Sequence, residues 1–463
     1  MKFIQKKPVQ YQSISGMLQP ITIRGFRGVN TFDPFSIDDS FFTDMSNLTT
    51  DDYPAVSTRP GYSVLGTVGT KVLGLGVWKG VELHAVFNDG TWRKWTGNSW
   101  ITLTSGLSTS ATWTFTNFQG NLDDVNLIGC NGVNPVKRYD GSTVQDLTGA
   151  PSSGKYVTTY QNRLWVAVGK ELWACSVDNP TDWNTFDQED GSSYRKTMES
   201  TAGEDINMLS GGLTKLTIGM PNSLHELYGG VPSNFNTRLI TEDEGIVSNA
   251  AAVTNSGVMH FIHNTGIYEY AGGVLPNKDF SDTVKTYLDG INTNSTSGSD
   301  GEKLYFYIPS DTLLVYDPRP GITAWSVWKG IHPTCFALMN HELYIGDDQG
   351  RVLKLGGTND GGNFIGWYCV TKPFSNGSLA QKLRWYKLFI VADVPLGSTM
   401  QVFLSRSVDG DDWEEVTPYM QGSRVIIPVS RFANENYLRI KISGTGPVTI
   451  REITRQQRQL PLY

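Results

Sequence analysis

The sequence predicts an all-β protein: a six- or seven-bladed β-propeller with an extended N-terminal arm and a C-terminal β-sandwich. Three observations lead there. Helical periodicity is almost absent from the 463 residues, short β-branched and aromatic runs stand between Asx-Gly turns, and a two-strand unit returns along the middle of the chain. With 39% apolar and 11% aromatic residues the chain can fill a packed interior, and its 49 glycines and 21 prolines are spread rather than repeated, which excludes disorder. Single cores seldom grow past roughly 250–300 residues, so this length divides into one large module and a smaller one.

The clearest strands are 72–78, 164–168, 304–308 and 388–392, each rich in Val, Ile, Leu and aromatics. Asp89-Gly90, Asn131-Gly132, Asp140-Gly141, Asp190-Gly191, Asp300-Gly301, Asp360-Gly361, Asn376-Gly377 and Asp409-Gly410 supply the positive backbone angles that tight hairpins demand, so the pairing is mostly antiparallel. The recurring unit is an apolar strand, a Gly or Asn turn, and a second strand with an aromatic. It returns at 83–95, 126–141, 162–174, 215–228, 258–270, 303–317 and 342–355. A period of about 40–50 residues is the length of one four-stranded blade. Six or seven blades are therefore expected over 63–365. The alternative, one or two β-sandwiches with coincidental spacing, has no reason to reproduce the pair at a constant interval.

Two segments fall outside the repeat. Residues 1–62 are polar and proline-punctuated, with Phe32-Asp33-Pro34-Phe35, Met45-Ser46-Asn47-Leu48 and Ser57-Thr58-Arg59-Pro60-Gly61-Tyr62. They are expected to form an arm that lies on a neighbour or closes the first blade. In 366–463, the runs 384–390, 400–405, 424–428, 437–442 and 447–450 alternate strongly. Five or more strands in roughly 100 residues predict a small sandwich or jelly roll.

The balance of 38 Lys and Arg against 45 Asp and Glu, a formal charge of −7, argues against a DNA-coating protein, which needs clustered cations to release phosphate counterions. A mildly acidic wall does suit a ring that lets nucleic acid pass without sticking. Cys130, Cys175, Cys335 and Cys369 are scattered, as expected of buried free thiols made in a reducing compartment rather than of a zinc knuckle or disulfide framework. The basic start is followed by no apolar leader, and no run of about 18 apolar residues occurs, so synthesis in the cytoplasm and no membrane insertion are expected.

Catalytic patterns are sparse. His260 and His263, three apart on an apolar strand, point to opposite faces and read as ordinary strand histidines rather than a metal pair. Asp123-Asp124, Glu242-Asp243-Glu244, Asp347-Asp348 and Asp411-Asp412 read as solvated turns; a glycosidase pair would need the fold to bring distant carboxylates together. The stretch from Ser407 through Asp409 and Gly410 to Trp413 resembles the Asp-box turn of sialidase-like propellers but lacks its Thr and its spacing, so a hairpin over a packed Trp is expected. No Walker loop, dinucleotide fingerprint or EF-hand occurs. The sequon matches at Asn47 and Asn294 carry no weight without a leader. No catalytic, cofactor-binding or metal-ligating residue is assigned, and the chain is expected not to be an enzyme.

Taken together, the lead-in Phe26-Arg27-Gly28-Val29-Asn30-Thr31-Phe32-Asp33-Pro34, the phrases Met45-Ser46-Asn47-Leu48 and Thr58-Arg59-Pro60-Gly61-Tyr62, and the closing runs 382–388, 407–410 and 438–447 resemble the β-propeller tail proteins of bacteriophages. That family includes the tail hub or nozzle proteins, also described as tail tubular or packaged-DNA-stabilising proteins. The resemblance implies a virion structural protein made in the host cytoplasm. It would form a homo-oligomeric ring, often a hexamer, below the portal and adaptor, and carry fibres or spikes. The genome would pass through its lumen without sequence-specific binding, and no catalytic residue transfers. Two other expectations stand beside it. One is a host-receptor or glycan-binding tail propeller that stacks sugars on Trp92, Trp95 and Trp100; the other is a glycan-cleaving enzyme.

Overall fold

The computed structural model describes residues 20–460 apart from 188, 376–378, 409 and 433. The basic start of the arm, the Asn376-Gly377 turn and Asp409 lie outside the described residues. Strands dominate. Seven small antiparallel sheets follow one another in chain order. The first comprises Val72–Trp78, Glu82–Phe87, Thr91–Trp95 and Trp100–Thr104; the second Thr114–Phe118, Asn126–Cys130, Lys137–Tyr139 and Val144–Asp146. The third comprises Tyr156–Tyr160, Arg163–Val168, Glu171–Ala174 and Tyr194–Thr197; the fourth Met208–Gly211, Leu216–Gly219, Leu224–Tyr228 and Asn236–Thr241. The fifth has three strands, Ala252–Asn255, Val258–His263 and Gly266–Tyr270. The sixth comprises Thr296–Ser299, Leu304–Ile308, Thr312–Asp317 and Ala324–Trp328. The seventh comprises Pro333–Met339, Glu342–Asp347, Arg351–Leu355 and, from the far end of the chain, Tyr62–Thr67, extended by the short strands Asn359–Asp360, which runs parallel beside Tyr62, and Asn363–Phe364.

The first strand of each sheet packs beside the first strand of the next, with the turn Asn249–Ala251 mediating between the fourth and fifth. Pro333–Met339 of the seventh returns to Val72–Trp78 of the first. The ring is closed, and the architecture is a β-propeller. The recurring sequence unit falls each time on the second and third strands of one sheet. Those strands are apolar without alternation, as in Leu304–Ile308, where all five residues are buried, because neighbouring sheets cover both of their faces.

Tyr62–Thr67 pairs antiparallel with Arg351–Leu355, Val64 opposite Leu353, so the arm closes the last sheet rather than the first. Upstream of it the extended arm gives way to paired strands. Ile21–Ile23 and Val56–Thr58 pair with Thr449–Gln459, and Phe42–Ser46 pairs with Gly366–Thr371. A boundary at residue 62 therefore separates strands that share one sheet. Met45, Leu48 and Val56 are fully buried, which local alternation could not reveal in strands of two to five residues.

The C-terminal strands build two sheets. The larger runs Leu48–Thr49, Val56–Thr58, Thr449–Gln459, Leu383–Asp393, Arg424–Ile427, Tyr419–Gln421; the smaller runs Phe42–Ser46, Gly366–Thr371, Arg439–Thr445, Thr399–Ser405, Glu414–Val416. Leu388, Ile390, Ile450 and Ile453 of the larger share one apolar cluster with Cys369, Val402, Leu404, Ile440 and Ile442 of the smaller. The same cluster continues into Phe261, Ile267, Phe306 and Trp325 of the fifth and sixth propeller sheets. Backbone pairing reinforces this: Val29 N donates to Trp325 O at 2.8 Å, and Asn47 N to Val327 O at 2.8 Å. At this joint Gly28 has φ +74, and a Cβ there would lie 2.1 Å from Trp325 O, so glycine is required.

Candidate functional site

The first strands enclose an axial cavity of about 400 Å³. Thr, Ser and Asn side chains line it beside Leu73, Leu75, Phe115 and Phe336, and Lys71 is its one charged lining residue among the described residues. Several of its polar groups tie adjacent sheets together. Trp113 N donates to Leu73 O (2.8 Å) between the second and first sheets. Val157 N donates to Thr114 Oγ1 (3.2 Å), Gly211 N to Thr158 Oγ1 (3.0 Å), and Leu209 N to Asn249 Oδ1 (3.1 Å). Ser297 Oγ donates to Ala251 O (3.0 Å), Thr296 Oγ1 to Pro333 O (3.2 Å), and Thr334 Oγ1 to Val72 O (2.7 Å). Every junction of the ring thus carries a hydrogen bond, each contributing about 0.5–1.5 kcal/mol net. A hydroxyl committed to a neighbouring backbone is a fastener, not a nucleophile held beside a base.

A buried carboxylate reinforces the junction between the fourth and fifth sheets. Glu226, 0% exposed, accepts through Oε1 from Tyr270 Oη (2.5 Å), from Lys215 Nζ and from Gly273 N (3.3 Å). Burial and this carboxylate push the Tyr270 hydroxyl above its ordinary pKa. Glu226→Gln keeps the size but removes the charge facing Lys215, and is expected to cost about 1.5–3 kcal/mol of stability in urea unfolding. An unchanged midpoint would show that the junction does not depend on the pair.

The residues singled out in the sequence do not converge. His260 and His263 are both buried: His260 packs on Phe280 (ring centroids 4.8 Å apart), while His263 Nδ1 meets Gly245 O at 2.8 Å. Burial lowers the His260 pKa. Among the carboxylates, Asp124 pairs with Lys79 (2.5 Å), Asp348 with His332 (3.4 Å), and Asp412 accepts from Ser405 Oγ (2.5 Å). Asp347 and Glu244 are not in solvated turns as expected. They are buried, held by Arg351 (2.6 Å) and by Lys278. Among the described residues no three His, Cys, Asp or Glu side chains gather into a metal site, and no helix is long and apolar enough to cross a membrane.

Trp92 is fully buried against Phe115 (5.1 Å) and Trp113 (5.6 Å), so it cannot stack on a sugar. Trp95 and Trp100 pack on each other (5.2 Å), and Trp100 Nε1 donates to Leu65 O (2.9 Å), tying the first sheet to the strand that closes the seventh. In the Asp-box-like stretch, Gly410 N donates to Ser407 Oγ (2.7 Å) and Trp413 lies under the Arg439 guanidinium (4.8 Å). Cys130, Cys175 and Cys369 are buried and Cys335 half-buried, all free; burial pushes the Cys130 and Cys175 thiols up to about 12.

Sequence reasoning missed the ring of fasteners. Thr114, Thr158, Thr296, Ser297 and Thr334 all lie on first strands, but that shared position is visible only once the sheets are framed.

No family model matches the chain, and no curated protein matches it. Among solved structures it is similar to BamB from Moraxella catarrhalis (10% identity, 62% of this chain and 83% of that one, TM-score 0.41). It is also similar to the WD40 β-propeller domain of Doa1 (11%, 64% and 97%, 0.43) and to U3-55K (9%, 64% and 100%, 0.44). The propeller assignment stands on the closed ring of sheets, not on these likenesses.

Proposed function

We propose that the chain is a seven-bladed β-propeller fused to a C-terminal β-sandwich, and that it serves as a structural subunit of a bacteriophage tail. In this reading copies assemble into a hub, nozzle or head-to-tail connector ring that continues the DNA channel, retains the packaged genome and offers sites for other tail proteins. The observation that carries the reading is where the phrases resembling the tail family sit. Gly28-Val29 pairs with Trp325, Asn47 with Val327 and Gly366, and Arg59 with Asp360, so those phrases form the joint between propeller and sandwich. A body fastened at every blade junction, with its lead-in strands locked into the joint, suits a ring under internal pressure.

The test is the mass of the full-length protein by light scattering, alone and mixed with the other proteins of the same particle. A discrete ring of about six copies, alone or on an adaptor, is the expected result. A persistent monomer that binds or cleaves a glycan would overturn the reading.

A further inference from the structure

The outer face of the larger C-terminal sheet is built like one half of an interface. In Leu383–Asp393 a bulge between Trp385 and Lys387 brings Arg384, Tyr386 and Lys387 to the surface together, while Leu383, Trp385 and Leu388 turn inward. Phe389 is flanked across the strands by Ile426, and Ile426 by Tyr419, which is 68% exposed. The Arg424 guanidinium lies 4.1 Å over the Phe389 ring, and that of Arg384 lies 5.6 Å over Tyr386. Arg384, Tyr386, Lys387, Phe389, Arg424 and Ile426 line a shallow groove of about 560 Å³.

The cations of this face lack counter-charges. Arg451 and Arg455 on the same sheet are paired with Asp393 and Asp39, but Arg384, Lys387, Arg424 and Arg458 have no carboxylate partner among the described residues. Arg384 even stands directly across from Arg458, an arrangement of like charges that weakens a sheet unless something outside the chain compensates it. Arg and Tyr over an apolar floor are the residues that anchor protein interfaces.

The chain carries a complement to this face elsewhere. Residues 366–463 hold 12 Lys and Arg against 8 Asp and Glu, whereas 63–365 hold 20 against 31. Within that acidic part, a cup of about 270 Å³ on the third and fourth sheets is lined by Glu199, Glu204 and Glu242 around Leu239, which is 44% exposed. Buried Glu226 and Glu244 have lysine partners; these three glutamates have none among the described residues. The cup and the basic face lie on different sheets of the molecule, so a contact between them on two copies can repeat head to tail, and such a repeat forms a ring when the rotation from copy to copy closes.

We infer that the Arg384/Lys387/Arg424 face of one copy docks on the Glu199/Glu204/Glu242 cup of the next. This rests on the ring reading above and names its interface. The experiment compares four full-length proteins by light scattering at low and high salt: wild type, Arg384→Glu with Arg424→Glu, Glu199→Lys with Glu242→Lys, and the chain carrying all four changes. The expected result is a wild-type oligomer that weakens with salt and both double variants reduced to the mass of a single chain. An equimolar mixture of the two, and the four-fold variant, should regain the oligomer, which also shows that the altered chains fold.

An oligomeric wild type that neither double variant disturbs overturns this contact and leaves the ring reading standing. A wild type that stays monomeric both alone and with the other proteins of the same particle overturns both; one that assembles only in that mixture is compared with the variants there. If Arg384→Glu with Arg424→Glu instead abolishes binding of labelled oligothymidylate while the oligomer is unchanged, the face belongs to nucleic acid and the inference fails.

Discussion

Replacing Arg59 by alanine is expected to lower the unfolding free energy by about 2–4 kcal/mol, because it removes a buried guanidinium and its hydrogen bonds and leaves the half-buried Asp360 carboxylate without its partner at the joint between the two parts of the molecule. Arg59 is 1% exposed. Its guanidinium makes a bidentate pair with Asp360, Nη1 to Oδ1 at 2.9 Å and Nη2 to Oδ2 at 2.6 Å. Nε donates to Asn47 Oδ1 at 2.9 Å, and the remaining N–H groups reach the carbonyls of Pro60 and Lys329. Asn47 in turn donates to Gly366 O at 2.8 Å and accepts from Lys329 N at 2.8 Å. One side chain therefore ties the lead-in, the sixth sheet and the strand beside Tyr62 together.

Arg59→Lys keeps the charge but not the planar fork, so it should recover less than half of the loss. Arg59→Ala combined with Asp360→Ala should be less damaging than Arg59→Ala alone, since the stranded charge is then gone. Urea unfolding of the four proteins decides it. Equal midpoints for wild type and Arg59→Ala would mean that the joint is held by the apolar cluster alone.

That joint also marks the limit of what could be read from the residues. The strands 304–308 and 72–78 were legible because they are long enough for their apolar content to stand out between turn residues. The two-strand unit was legible because each blade must solve the same packing problem, so its second and third strands look alike. Leu48–Thr49 and Val56–Thr58 gave no such signal. Two or three residues carry no period, and the partners of Val56 and Ile21, Ile450 and Arg455, lie at the other end of the chain in Thr449–Gln459. The buried ion pairs were hidden for a related reason: whether Asp347 or Glu244 is solvated depends on what Arg351 and Lys278 do in space. The basic face of Leu383–Asp393 was half-visible as an alternating run, but the bulge that exposes Tyr386 and Lys387 together breaks the alternation that would have announced it.

Acidification should destabilise the propeller through His84 before its carboxylates titrate. His84 lies on the second strand of the first sheet and is fully buried. Trp92 Nε1 donates to its Nδ1 at 3.0 Å, so the neutral ring carries its proton on Nε2, which donates to Glu82 Oε1 at 2.9 Å. A second proton would have to enter at Nδ1, where the Trp92 N–H already points. Burial holds the pKa at about 4 against an ordinary 6.5, and nearby Lys94 works in the same direction; Glu82 opposes them. The Tyr139 ring closes the pocket with its centroid 4.6 Å from the imidazole.

The folded pKa lies below the unfolded one, so as pH falls below 6.5 the unfolded chain takes up a proton that the folded chain refuses. The stabilisation is complete above pH 6.5, declines by about 1.4 kcal/mol per pH unit, and levels off below the folded value, about 3 kcal/mol in all. Burial also lowers the pKa of His225 and His260, which adds to the loss with the same sign. His84→Gln keeps an acceptor for Trp92 and a donor for Glu82 but cannot titrate. Urea unfolding at pH 7.5 and pH 5 should therefore show a drop about 2 kcal/mol smaller in the variant than in the wild type. Equal drops in the two proteins would mean that His84 is protonated in the folded state and that its bond to Trp92 does not hold the ring neutral.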